Sequence, residues 1–260
     1  MTAARTLPTL ARYALALGDD ALVLAQRCGE WVTRAPQLEE DVALANIGLD
    51  LLGQARTLLG YAGQLEGAGR DEDDLAYLRE ERDFLNVQLV ELENGDFAVS
   101  MARLLVFSSY QLELYRGLSG SRDETLAAIA AKAVKEVAYH RDHATEWVLR
   151  LGDGTPESHR RMQAGLDGVW PYADELFAAS SRHGVWPDPE LVAVGVAVDP
   201  ASLRDPALAH VRAVIAEATL TEPDPRWTAH GGRHGVHSTP MGHLLAELQH
   251  LHRSHPGASW

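Results

Sequence analysis

Apolar residues recur every three to four positions along most of the chain, which is the spacing of amphipathic helices rather than of strands. Glycine, proline and polar clusters interrupt the pattern and mark turns. Gly18 followed by Asp19 and Asp20 is typical of a helix end and the N-cap of the next helix. The pattern predicts helices at about 7–17, 21–34, 38–65, 75–81, 97–118, 122–151, 157–180 (kinked at Pro171), 207–218 and 240–254.

The predicted helix at 38–65 carries apolar residues around most of its circumference. This distribution is typical of a helix that is surrounded by protein, so we expect it to be central and buried. A narrow polar stripe separates its two apolar sides and consists of Asn46, Asp50, Gln54 and Thr57.

Several predicted helices exceed twenty residues, and mostly short turns join them. Long helices with short connections favour a bundle of antiparallel neighbours. We therefore predict an all-α fold, with one helical domain over residues 1–260 and extra helices at the N- and C-termini. Two segments differ from the rest: 181–206 is predicted to be irregular, and about 236–254 forms a C-terminal helical extension, with Ser238 or Thr239 as its cap.

Ionisable side chains lie within the apolar arc of the predicted helix at 122–151. Glu136 and His140 are four residues apart and share a face, and His143 lies at its edge. Such groups are costly to bury unless they are paired, hydrogen-bonded or bound to a metal. In ferritin-like bundles this combination usually means a di-metal site that also takes carboxylates and Glu-x-x-His pairs from other helices.

The remaining helices supply too few ligands for two metal ions. Asp50 lies mid-helix, but no histidine follows it, and Glu30 and Glu113 lie close to helix ends. We therefore expect no metal and no catalytic residue in this chain. The alternative is a self-sufficient di-metal oxidase or oxygenase that uses Asp50, Glu136 and His140 with help from Glu30 or Glu113.

The interpretation we favour for these side chains is a buried polar network. Glu136 and His140 would hydrogen-bond to Asn46, Gln54 or Tyr139 across the bundle axis. His143 lies beside Asp142 and is expected on a partly exposed, ion-paired face. Asp50, Glu136, His140 and His143 remain the candidates for a vestigial site.

The C-terminal part is rich in histidine but contains no cysteine or paired carboxylate that would complete a metal site. We expect these histidines to be solvated or to lie at an interface. They are His230, His234, His237, His243, His250, His252 and His255.

Composition and charge disfavour several classes of function and of structure. The net charge of −14 disfavours nonspecific binding to nucleic acid or an anionic membrane, so an anionic ligand would need a local basic patch or another subunit. The single cysteine, Cys28, excludes a disulfide framework. The N-terminal residues lack the apolar core of a signal peptide, and the longest apolar run, 191–198, is too short to span a bilayer. We expect a cytoplasmic protein.

Six segments in this order resemble one family, the C subunit of the bacterial multicomponent phenylacetyl-CoA epoxidase (ring-1,2-monooxygenase). They are EEDVALANIGLDLLGQAR at 39–56, LAYLREER at 75–82, NGDFA at 94–98, KEVAYH at 135–140, WVLRLGDGTPESHRRM at 147–162, and the C-terminal stretch 232–260. One departure is Ser238-Thr239-Pro240, where the family pattern leads us to expect a Thr-Glu-like continuation. An acidic role at that point is therefore in doubt.

The resemblance implies a ferritin-like fold and a part in aromatic-acid degradation. It also implies that a related A subunit holds the di-iron centre and binds the acyl-CoA, while a separate flavin and iron–sulfur reductase delivers electrons. The C subunit would be the structural, non-catalytic partner of that A subunit, without a cofactor of its own. When alone it could pair with itself through the same surface. A helical scaffold without a redox role is the remaining alternative.

Overall fold

Helices make up most of residues 8–258, which are the residues that the computed structural model describes. The predicted helix at 7–17 thus begins one residue outside the described part. The ten α-helices in this part are α1 (Thr9–Gly29), α2 (Leu38–Glu66), α3 (Glu72–Tyr77), α4 (Gln88–Glu91), α5 (Phe97–Leu118), α6 (Glu124–Gly152), α7 (Pro156–Val169), α8 (Pro189–Ala193), α9 (Pro200–Glu217) and α10 (Thr239–Ser254). A short antiparallel hairpin pairs β1 (Ser180–Ser181) with β2 (Gly184–Val185).

Four long helices, α1, α2, α5 and α6, form the bundle, and the other elements pack around it. Helices α1 and α2 are antiparallel, because Gly18 approaches Leu59 at one end and Cys28 approaches Gly48 at the other. Helix α5 packs closely on α6, and α2 also meets α6. The prediction of an all-α, ferritin-like bundle is confirmed.

Helix α1 continues through Gly18, where the sequence predicted a break. A Cβ atom on Gly18 would lie 2.9 Å from Leu59 Cδ2, so the glycine permits close packing of two helices. Asp19 and Asp20 are not N-caps; both are buried in the middle of α1. The prediction of two helices at 7–17 and 21–34 was therefore wrong.

The most buried long helix is α5, in which Met101, Leu105 and Leu112 are fully enclosed. Helix α2, predicted to be central, buries Ile47 and Leu51 on one side and exposes apolar residues on the other. A helix with apolar residues on all sides need not be surrounded by its own chain, because a partner protein can cover one face.

The segments after α7 also differ from the prediction. Helix α7 ends at Val169 and continues as a 3₁₀ helix, Trp170–Phe177, because Pro171 has no N–H and cannot extend an α-helix. The segment 181–206 is only partly irregular: it contains β2, α8 and the start of α9. Asp199 caps α9 by accepting a hydrogen bond from Ala201 N, so that helix begins seven residues before the predicted 207.

Asp96 caps α5 by accepting a hydrogen bond from Val99 N, and Thr155 caps α7 by accepting one from Ser158 N. The C-terminal extension forms as α10, with Ser238 at the N-cap position but without a side-chain capping bond. Within residues 8–258 none of the helices combines the length and the apolar character that crossing a bilayer requires.

Candidate functional site

The seam between α2 and α6 brings together two of the candidate ligands. Asp50 Oδ2 lies 3.0 Å from His140 Nε2, and the imidazole is fully buried. Burial lowers the pKa of His140, while the neighbouring Asp50 carboxylate opposes this shift. His140 Nδ1 is buried without a hydrogen-bond partner among the described residues, which suits a neutral ring that donates from Nε2.

One turn further along α2, Gln54 lies at the centre of a hydrogen-bond network. Its Nε2 donates to Glu136 Oε2 at 3.0 Å, and its Oε1 accepts from Gln111 Nε2 and from the Tyr115 hydroxyl, each at 3.2 Å. The other oxygen of Glu136 lies 3.7 Å from Lys132 Nζ. Burial raises the pKa of Tyr115, so its hydroxyl keeps its proton and donates.

The predicted partners of this network were only partly right. Gln54 contacts Glu136 as expected, but Asn46 and Tyr139 are exposed. Gln111 and Tyr115, both on α5, take the places in the network that the sequence assigned to Asn46 and Tyr139. Amide and phenol groups within a helix of mainly apolar side chains gave no periodic signal that could have identified them.

His143 lies closer to the core than predicted. Its Nε2 is 3.2 Å from Glu40 Oε2, and about a tenth of each side chain is exposed. The partner is Glu40 at the start of α2, whereas the sequence suggested Asp142 as its neighbour on an exposed face. Burial lowers the pKa of His143, and the Glu40 carboxylate opposes the shift.

The donor set of this seam does not fit a two-metal centre. Glu136 is bound to an amide, His140 is bound to Asp50, and the remaining interior positions hold Gln54 and Gln111. Neutral amides are weak ligands where a ferritin-like site uses carboxylates. Among residues 8–258, no three His, Cys, Asp or Glu side chains are placed so that they could hold a metal ion together.

A second network, which sequence reasoning missed, ties α1 to distant segments. Asp20 Oδ2 accepts from Arg233 Nη2 at 2.6 Å, and its Oδ1 accepts from Val87 N at 2.9 Å. Asp19 pairs with Arg79 and accepts from Leu85 N. Burial alone lowers the pKa of Arg233, but the Asp20 carboxylate outweighs it, so the guanidinium pKa is raised. The signal in the sequence that could have indicated this network is the position of two aspartates within the apolar run of α1.

The sequence predicted C-terminal histidines that are solvated or lie at an interface, and His237 does not follow this prediction. His237 is fully buried, with Nδ1 2.8 Å from Glu91 Oε2 and Nε2 2.9 Å from Phe84 O. Burial lowers the pKa of His237, but these two acceptors outweigh it and raise the pKa overall. Glu91 also accepts a hydrogen bond from Ser238 N. A carboxylate from α4 therefore contacts the segment in which the sequence lacks the expected acidic residue.

An exposed apolar surface lies on α2, opposite its buried side. We call it the α2 stripe, and it consists of Leu38, Val42, Leu49 and Leu52, with exposed fractions of 75%, 54%, 64% and 44%. At 100° per residue these four side chains fall within an arc of about 80° along roughly 20 Å of helix. Contiguous apolar surface of this kind marks interaction sites.

Comparison with known proteins gives consistent matches along the whole chain. A family model described as phenylacetic acid catabolic protein matches residues 1–260. A relative from Escherichia coli (strain K12), the C subunit of 1,2-phenylacetyl-CoA epoxidase, is 48% identical over 251 residues. The alignment covers 96% of this chain and 99% of the relative.

Proposed function

The chain belongs to the phenylacetic acid catabolic protein family, and from this premise we propose that it is a structural, non-catalytic subunit of the complex that epoxidises phenylacetyl-CoA. Its role in phenylacetate catabolism follows from the relative that it matches along almost its full length. The non-catalytic role is our inference from the site.

The observation that carries this proposal is the hydrogen-bonded seam of α2, α5 and α6. A catalytic di-metal protein needs carboxylates free to bind metal on several helices. In this chain Gln54 binds Glu136, Gln111 and Tyr115 at once, and Asp50 is bound to His140. These hydrogen bonds join side chains of three helices, which is a structural role.

The partner that we propose is the related di-iron subunit of the same complex, which would hold the iron and the acyl-CoA. The α2 stripe supports a protein partner, because an apolar helix face about 20 Å long is of the size that a second helical protein covers. The reductase, with its flavin and iron–sulfur groups, would act on the di-iron subunit and contact this chain only indirectly.

Co-purification with metal analysis tests the proposal. We expect the isolated chain to contain well under one iron per molecule and to show no turnover with reductase and phenylacetyl-CoA. Addition of the di-iron subunit should yield a stable complex whose iron belongs to that partner. About two irons per isolated chain, with turnover in the absence of the partner, would instead support a self-sufficient oxygenase. Failure to bind the di-iron subunit would favour an unrelated scaffold.

A further inference from the structure

Acidic residues are numerous in this protein, 37 of 260, but the segments that contain none include 1–18, 176–187 and 225–246. The same segments contain arginines and a large share of the histidines. In a chain with a net charge of −14, such segments can together form a local positive surface only if the fold brings them together.

The fold brings residues 8–18 together with the other two segments. Arg12 Nη2 on α1 donates to Arg233 O at 2.8 Å and lies 3.2 Å from His234 Nδ1. The rings of Tyr13 and Trp186 stack with their centroids 5.5 Å apart, which joins α1 to the hairpin. The hairpin turn and the segment before α10 meet through the rings of His183 and His234, whose centroids are 6.5 Å apart.

Two glycines make this approach close. A Cβ atom on Gly184 would lie 2.8 Å from His234 Cε1, and one on Gly231 would lie 2.9 Å from His183 Cδ2. Each loop therefore passes its backbone against an imidazole of the other, where a larger residue would not fit. We call the resulting surface the cationic patch: Arg12, Arg182, His183, His230 and His234.

Beneath the cationic patch the charge of Arg233 is matched by Asp20, whereas the two arginines at the surface of the patch are not paired with a carboxylate among the described residues. Arg233 is buried against Asp20, and Glu175 accepts hydrogen bonds from Gln88 N and Gly232 N. Within the part of the chain that the structure describes, neither Arg12 nor Arg182 has a carboxylate within 4 Å. Arg182 is exposed and Arg12 is half-buried, so each side chain has surface in contact with solvent.

We propose that the cationic patch binds a phosphate group, either inorganic phosphate or a phosphate monoester. Guanidinium groups present several N–H donors in a fixed fork that suits phosphate oxygens, and a neutral imidazole that accepts a hydrogen bond at one ring nitrogen can donate from the other. A metal is the less suitable ligand, because no three ligand side chains converge in the described residues. This inference does not depend on the proposed subunit role.

Isothermal titration calorimetry of the full chain with sodium phosphate, at constant ionic strength, tests the proposal. We expect saturable binding that weakens about tenfold or more in Arg12→Ala and in Arg182→Ala, because each removes charge-assisted hydrogen bonds. Arg34→Ala is the matched control: an exposed arginine in a cavity that also contains Glu30, Glu93 and Glu247, where binding should be unchanged. Thermal melting of each variant verifies that it is folded.

A second arm identifies the source of the phosphate. Coenzyme A and dephospho-coenzyme A differ in one phosphate monoester, so a tenfold preference for coenzyme A indicates a nucleotide phosphate as ligand. Equal affinity for both, with saturable binding of inorganic phosphate, indicates free phosphate. Absence of saturable binding of inorganic phosphate and of coenzyme A at millimolar concentration, or unchanged affinity in the Arg12→Ala/Arg182→Ala variant, would overturn the proposal.

Discussion

Replacing Arg233 with alanine is expected to lower the free energy of unfolding by about 3–5 kcal/mol, because it leaves the Asp20 carboxylate buried without its counter-charge. The two side chains are 5% and 3% exposed, and the same guanidinium also donates to Ala16 O and Leu85 O. Since single domains are stable by only about 5–15 kcal/mol, this one change should remove a large share of the stability.

Urea unfolding followed by circular dichroism at neutral pH measures this loss. Arg204→Ala is the matched control, because Arg204 and Asp174 lie 2.7 Å apart but are 42% and 47% exposed. An exposed pair of this kind is worth about 1 kcal/mol or less. If Arg233→Ala and Arg204→Ala lowered stability equally, the buried pair could not be the tie between α1 and the C-terminal segment that we describe.

The second large effect is expected at the α2 stripe. The double substitution Val42→Glu and Leu49→Glu should weaken binding to the di-iron subunit by more than about 100-fold, because two apolar contacts are lost and two charges must be buried. Both side chains are more than half exposed in the free chain, so the fold itself should change little.

Binding by calorimetry or analytical gel filtration, with thermal melting of each variant, measures this effect. Leu78→Glu and Leu251→Glu are matched controls, since both leucines are about half exposed (51% and 53%) and neither belongs to the α2 stripe. These controls should bind the partner like the unaltered chain. Normal binding by the Val42→Glu/Leu49→Glu protein would show that the partner uses another surface. The same variant should also abolish any self-association of the chain alone.

Periodicity predicted most long helices correctly but not what surrounds them. The pattern of α2 indicated burial on all sides, and the structure shows Leu38 and Leu49 exposed. An apolar residue that faces a partner protein has the same sequence signature as one that faces the core, because both are removed from water in the end, the first on assembly and the second on folding. The sequence therefore identified the apolar face but could not say what covers it.

The buried ion pairs could not be predicted because their partners are far apart in the chain. Asp19 and Asp20 follow a glycine, which locally favours a helix end and a cap. Their partners, Arg79 and Arg233, lie 60 and 213 positions further on. Only the folded chain shows that these long-range ion pairs prevail over the local preference for a helix end.

The candidate site was predicted in part. The sequence placed Glu136 and His140 on one helix face, named Asp50 as a third candidate and identified Gln54 as a partner. It did not identify Gln111 and Tyr115, because those side chains meet Gln54 across a contact between α2 and α5 that periodicity does not specify. That Glu136 and His140 are structural, and not ligands, stays a prediction.

The central claim is that these side chains hold the bundle together and take no part in chemistry. The most direct measurement is epoxide formation by the reconstituted complex that carries Asp50→Asn, Glu136→Gln and His140→Gln in this chain. These substitutions keep hydrogen-bonding groups at the three positions but remove the two carboxylates and the imidazole that a metal ion would need. We predict a rate within about twofold of the unaltered complex and the same iron content. A hundredfold loss of rate with the complex intact, or loss of iron, would contradict the account.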